Sequence, residues 1–275
     1  MLLSKLRKGN DAALGIVLPW ILRLGVSGCY IGHGAFGIIT KAAWVPYFGV
    51  AGITEPTAWR LMPWVGMMDI AMGILVLVWP CRALFAWAVV WTAWTALLRP
   101  LSGEPFWEAL ERAGNYGVPL AVMMVVGFGG PLFARFSTTW RSIDDTARER
   151  LAWTLRLTIL LLLVGHAGLG LFEHKAGLAR HYAALNFSNP SQLVPLIGAF
   201  EFLLAGVFLL VPRPGLVLFI CGWKLATESL FLLAGAPVWE LVERAGSYAA
   251  PLALAFLLLR QMSDEPILPP AIRSA

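Results

Sequence analysis

The chain has 275 residues, of which 59% are hydrophobic and 13% charged, with a formal net charge of +5. Soluble domains average about 45–50% apolar and about 25% charged residues, so this composition excludes an ordinary soluble enzyme and implies an integral membrane protein. The positive excess calls for no nucleic-acid partner, because Lys and Arg collect in cytoplasmic loops beside membrane lipid.

In chain order, the stretch "MLLSKLRKGNDAALGIVLPW" carries basic residues but no apolar region closed by a small-residue cleavage site, so no removable signal peptide is expected. Apolar segments follow at 19–40, 61–79, 83–99 and 108–130, and again at 153–172, 193–211, 214–233 and 240–259. Between the two groups lies the only long polar stretch, "RFSTTWRSIDDTARER", from Arg135 to Arg150. The expectation is an all-α polytopic membrane protein of eight transmembrane helices. It divides into a first four-helix unit over 1–134, a cytoplasmic linker over 135–152 and a second four-helix unit over 153–275. Cys29 and Cys221 lie in apolar spans and Cys81 at a span end, with no CxxC, so neither a disulfide framework nor a thiol redox pair is indicated.

The two groups match each other. "WILRLGVSGCYIGHGAFG" pairs with "WTLRLTILLLLVGHAGLG", setting Arg23 and His33 opposite Arg156 and His166. "PWVGMMD" pairs with "PLIGAFE", which sets Asp69 opposite Glu201, and Trp91 answers to Trp223. "WEALERAGNYGVPLA" from Trp107 returns as "WELVERAGSYAAPLA" from Trp239. Four spans return the chain to its starting side, so the repeats are expected to be parallel, giving two four-helix bundles about an axis along the membrane normal. Lys and Arg are more numerous at the N-terminus, in the Arg82 and Arg213 loops, in the linker and in the tail than on the opposite side. Both termini are therefore placed in the cytoplasm, with the inner membrane as the location.

The repeated phrase opens the fourth span of each unit. Glu108 and Arg112 stand four apart, as do Glu240 and Arg244, in the favourable order for a helix. One reading is an interfacial anchor with a solvent-screened ion pair; the other is a wall at the mouth of a cavity. Pro119 and Pro251 stand inside the span, where each should release a backbone carbonyl that needs another partner.

Ionisable groups inside hydrocarbon are candidates for function. The first half has His33 and Asp69; the second has His166, Glu201, Lys224 and Glu228. Each His is either a hydrogen-bonded core residue, a quinone contact, or a haem or metal ligand. No second His stands at ligand spacing on either span, so no metal site is read. Asp69 and Glu201 are either helix-packing hydrogen-bond partners or proton acceptors. Lys224 and Glu228 replace Thr92 and Ala96 of the first half and either neutralise each other or mark a working site. The halves have diverged there, and divergence after duplication can leave one working site and one structural copy. The second half is therefore the expected working one, with His166, Glu201, Glu228 and Lys224, at similar depth, forming its polar pocket.

"RLGVSGCYIGHGAFGIITK" resembles the first span of DoxX-type membrane proteins, and "LIGAFEFLLAGVFLLVP" resembles that family's second span. The chain is thus similar to two fused DoxX-like units. The resemblance implies small four-helix membrane proteins, some of them linked to thiosulfate–quinone oxidoreduction. It places His33, Asp69, His166 and Glu201 near a lipid-quinone pocket, ahead of haem as cofactor. Electrons would then come from a redox partner protein, since the chain has no cysteine pair. The competing reading is a non-catalytic membrane scaffold subunit or a small-solute carrier.

Overall fold

The computed structural model describes residues 2–137, 139–140 and 143–264, with side chains over 15–260 apart from 138, 141 and 142. The helices are α1 (Leu2–Ile38), α2 (Val45–Val50), α3 (Glu55–Val78), α4 (Arg82–Leu101), α5 (Trp107–Glu111), α6 (Ala113–Val126), α7 (Asp145–Leu171), α8 (Ala176–Ala183), α9 (Pro190–Leu210), α10 (Pro214–Leu233), α11 (Trp239–Glu243) and α12 (Ala245–Asp264). A 3-10 turn, Ala42–Trp44, precedes α2. Among the described residues the remaining regular pairing is one isolated bridge between Cys81 and Arg135.

The helix limits follow local chemistry. Asp144 begins α7 by accepting from the Ala147 amide at 2.7 Å, a side-chain N-cap, so this helix already covers the last third of the polar linker. Pro80 and Pro212, two residues beyond α3 and α9, cannot extend them. At the end of α6, Gly127 adopts φ +71°, and Arg82 donates to the Val126 and Gly127 carbonyls at 2.8 and 3.1 Å.

Six helices (α1 from Gly15, α3, α4, α7, α9 and α10) are long and apolar enough to cross a membrane. Their outer surfaces keep large apolar side chains exposed, among them Val90, Leu203 and Leu210. In water such a surface would drive aggregation; in lipid it is the expected exterior. The chain is a helical membrane protein.

The expected segments at 108–130 and 240–259 depart from a single helix. Each begins as a five-residue helix, breaks at Arg112 or Arg244, and resumes as α6 or α12. The connections after the first and fifth expected spans also hold short helices, α2 and α8, that apolar periodicity did not mark.

Burial orders the layers. The most apolar stretches of α1 and α7 are 61% buried, against 22–33% for α3, α4, α9 and α10. The main cluster of buried apolar residues runs through both halves, from Leu18, Leu22 and Phe85 to Leu155, Ala253 and Leu257. Two bundles with cores of their own would have divided these residues. Instead α1 packs on α3 but also on α11 and α12, while α7 packs on α9 and on α5 and α6. Small residues permit this. A Cβ on Gly32 would collide with the Glu243 backbone, and one on Gly165 with that of Glu111. Where α6 crosses α12, Gly114 and Gly246 meet backbone to backbone.

Candidate functional site

The repeated phrase builds two charged brackets at the broken spans. Arg112 Nη1 donates to the Glu108 and Glu111 carboxylates, each at 2.6 Å, and to the Glu108 carbonyl at 3.0 Å. Arg244 Nη1 does the same to Glu240 at 2.7 Å, Glu243 at 2.8 Å and the Glu240 carbonyl at 2.9 Å. A guanidinium thereby satisfies a carbonyl that the short helix leaves open. Tyr116 and Tyr248 add a second donor, to the Ala109 and Leu241 carbonyls at 3.2 and 3.3 Å. The recurrence of Glu, Glu, Arg and Tyr in the phrase is the recurrence of this helix break.

The brackets also lock the halves together. Lys41, beyond α1, reaches Glu240 at 2.7 Å, and Lys175, beyond α7, pairs with Glu108. Arg112 and Arg244 are each 11% exposed, and Glu108 only 1%. The solvent-screened pair expected from sequence is therefore a buried network, because the break turns both arginines inward among four carboxylates.

Pro119 has the predicted consequence. It has no N–H to offer the Asn115 carbonyl, and the Thr92 hydroxyl of α4 approaches that oxygen at 3.0 Å while also contacting the Ala88 carbonyl at 2.6 Å. In the second half Lys224 stands in the place of Thr92.

The four residues expected as the second-half pocket form two tied groups. His166 Nδ1 pairs with Glu201, whose other oxygen accepts from Trp223 Nε1 at 2.8 Å. Lys224 and Glu228 are 2.8 Å apart, and Glu228 is also 2.8 Å from Arg244 Nε. All four side chains are buried. Their charges answer one another, as a low-dielectric interior demands.

The first half is different. A cavity of about 300 Å³ lies between α1, α2, α3 and α4, walled by Trp44, Phe48, Trp64, Trp91, Trp94 and Leu98. His33 and Asp69 also line it, and none of His166, Glu201, Lys224 and Glu228 does. Asp69 spends one oxygen on Trp91 Nε1 at 2.9 Å, the counterpart of the Glu201–Trp223 bond. His33 turns the other way, with Nε2 3.6 Å from Glu243 and its ring edge-on to Trp44 at 5.6 Å. Asp69, one methylene shorter than Glu201, makes no such imidazole contact and lines the cavity instead.

The rim carries groups that sequence reading missed. Tyr47 donates to Glu104, and Glu104 pairs with Arg99 at 3.1 Å. Burial raises the Tyr47 phenol, so it stays protonated as a donor. These residues lie outside the duplicated phrase, and only the aromatic density of "AAWVPYF" marked the segment. The two histidines serve different carboxylates, Glu243 and Glu201, and do not face a common ligand position. Among the described residues no three His, Cys, Asp or Glu side chains cluster as a metal site would require.

Compared with known proteins, the chain matches no family model, no curated protein and no solved structure.

Proposed function

We propose that this protein is a quinone-interacting subunit of a membrane oxidoreductase, with the quinone ring held in the first-half cavity. The observation that carries the reading is the cavity itself: an aromatic-walled space of about 300 Å³ with an imidazole and a carboxyl on its lining. Ligand pockets begin near this volume and combine apolar walls with a few polar groups, which suits a planar ring with two oxygen substituents. Such a group supplies electron transfer when bound. The chain's own part is to stack the ring between indoles, exclude water, and hold or pass a proton at His33 and Asp69. Electrons would enter from a partner protein.

The reading keeps the DoxX-like resemblance and the duplicated plan: eight spans in two parallel repeats, 1–134 and 153–275, joined by the 135–152 linker. Both termini are cytoplasmic and the membrane is the inner membrane. The broken fourth segments are spans interrupted at Arg112 and Arg244. The weighting between halves is reversed from that given by ionisable residues alone. His166, Glu201, Lys224 and Glu228 hold the second half closed, and His33 and Asp69 serve the ligand. The dense pairing of the second half is also what a non-catalytic scaffold or solute carrier would contain.

Titration of the purified protein in lipid discs with a short-chain quinone, read by quenching of tryptophan fluorescence, tests this reading. Saturable quenching is expected. It should be lost in Val65→Trp, which fills the cavity, weakened about tenfold in Asp69→Ala by loss of the carboxyl O–H that would donate to a quinone oxygen, and kept in Glu201→Gln. Quenching that never saturates, or that survives Val65→Trp, would leave the scaffold reading in its place.

A further inference from the structure

Arg23 and Arg156 are matched residues with different surroundings. Arg23 is buried and donates from Nε to the Val76 carbonyl at 3.1 Å and from Nη2 to the Leu77 carbonyl, closing the end of α3. Its plane also lies on Trp20, 4.3 Å from the ring centre. Arg156 does not repeat this. Its Nε is buried without a hydrogen-bond partner, and Phe208 and Leu209, which take the places of Val76 and Leu77, receive no bond from it. Among the described residues no carboxylate lies within ion-pair distance of it, and its clear contact is the Trp153 ring at 5.2 Å.

The space that Arg23 fills in its own half is open around Arg156. A groove of about 410 Å³ is lined by Trp153, Thr154, Arg156, Leu157, Leu160, Phe208, Leu209 and Pro212, with no acidic side chain. Arg213, next to Pro212, lines the adjoining groove with Val211, Leu216 and Leu259. Arg156 stands in the first half of α7 and Arg213 immediately before α10, and the rest of this surface is apolar and faces outward, with Trp153, Leu157 and Leu209 all more than half exposed.

We infer that this groove binds an anionic phospholipid, its phosphodiester on Arg156 and an acyl chain along Leu157, Leu160 and Phe208. An uncompensated guanidinium in an apolar groove is costly unless an anion meets it. Its planar fork fits two phosphate oxygens, whereas a lysine would present only a point charge. A zwitterionic lipid would bring an ammonium group with no carboxylate to receive it, and Arg213 adds a second cation. Basic pockets between membrane helices at the headgroup level select anionic lipids on these grounds. The leaflet, though not the site, rests on the orientation proposed above.

Phosphatidylglycerol and phosphatidylcholine, added separately to the protein in detergent, provide the test, with bound lipid counted by native mass spectrometry and the melting temperature followed. Phosphatidylglycerol should bind and raise the melting temperature, and phosphatidylcholine should not. Arg156→Gln should weaken phosphatidylglycerol binding at least about tenfold, the factor carried by a charge-assisted hydrogen bond, and melt normally in phosphatidylcholine. Should that variant not fold, Thr154→Asp, which sets an acid in the same groove, must abolish the preference. Equal binding of both lipids, unchanged phosphatidylglycerol affinity in the folded variants, or full replacement of the effect by millimolar inorganic phosphate would overturn the site.

Discussion

The two halves place an acid in the same position and use it in opposite ways. Asp69 and Glu201 each accept from a tryptophan of the following helix, Trp91 at 2.9 Å and Trp223 at 2.8 Å. Glu201 also reaches His166, while Asp69 stops short and lines a cavity with His33. One helix further on, the second half places Lys224 and Glu228 where the first has Thr92 and Ala96. The comparison teaches that ionisable residues gathered inside a membrane protein can serve one another. Charges added inside a membrane protein must first answer each other, and in the second half Glu201 is held by His166 and Glu228 by Lys224 and Arg244.

The largest expected effect would break this picture at the shared network. Arg244→Leu leaves Glu228, Glu240 and Glu243 without their common cation, and losing one partner of a buried pair costs about 3–5 kcal/mol. Thermal unfolding in detergent should show a marked loss. Arg112→Leu should lose less, because Arg112 holds two carboxylates, Glu108 and Glu111, against the three that Arg244 holds. Wild-type melting in either variant would restore the screened-anchor reading.

A second test gives the second half the residues of the first. Lys224→Thr alone strands Glu228 against a single cation and should destabilise strongly. Adding Glu228→Ala should recover part of the loss, since removing both charges avoids an unpaired one. Additive losses in that cycle would mean the pair is not coupled. Smaller still is the contrast between the matched acids. Glu201→Gln removes the carboxylate from a buried imidazole and should cost roughly 1.5–3 kcal/mol, the worth of a hydrogen bond to a charged group. Asp69→Asn keeps an oxygen for Trp91 and should cost about 1 kcal/mol or less. Equal losses would remove the distinction between a closed half and an open one.

The smallest expected effect concerns His181 on α8, whose ring lies tilted at 57° against Phe231 with centroids 4.1 Å apart. Burial lowers its pKa from 6.5 to about 4, with Glu228 opposing and Arg244 adding to the shift. The folded protein therefore holds fewer protons than the unfolded chain between these values, and stability present above pH 6.5 declines as pH falls toward about 4. His181→Phe should flatten that part of the stability curve. An unchanged slope would show that other groups set it.

Much of this was legible in the sequence for physical reasons. Composition alone gave the membrane class, and the unsatisfied carbonyl before Pro119 followed from the missing N–H. That His166 faces Glu201 matched the depth of these residues on neighbouring spans, and the Lys224–Glu228 pair matched their spacing of four on one helix. The break at Arg112 was hidden because Glu108 and Arg112 also suit an unbroken helix. The cross-links from Lys41 to Glu240 and from Lys175 to Glu108 join residues far apart in the chain, which local patterns do not register. The cavity was hidden most deeply, since its walls come from Trp44, Trp64, Trp91 and Trp94 on three separate elements that no local pattern brings together.

A photoreactive short-chain quinone, cross-linked to the protein in lipid discs and mapped by peptide mass spectrometry, tests the open half against the closed one most directly. Label should fall on residues 44–99, around Trp44, Trp64 and Trp94, and excess unmodified quinone should compete it away. Competed label on residues 193–228 instead, around Glu201 and Lys224, would contradict the account.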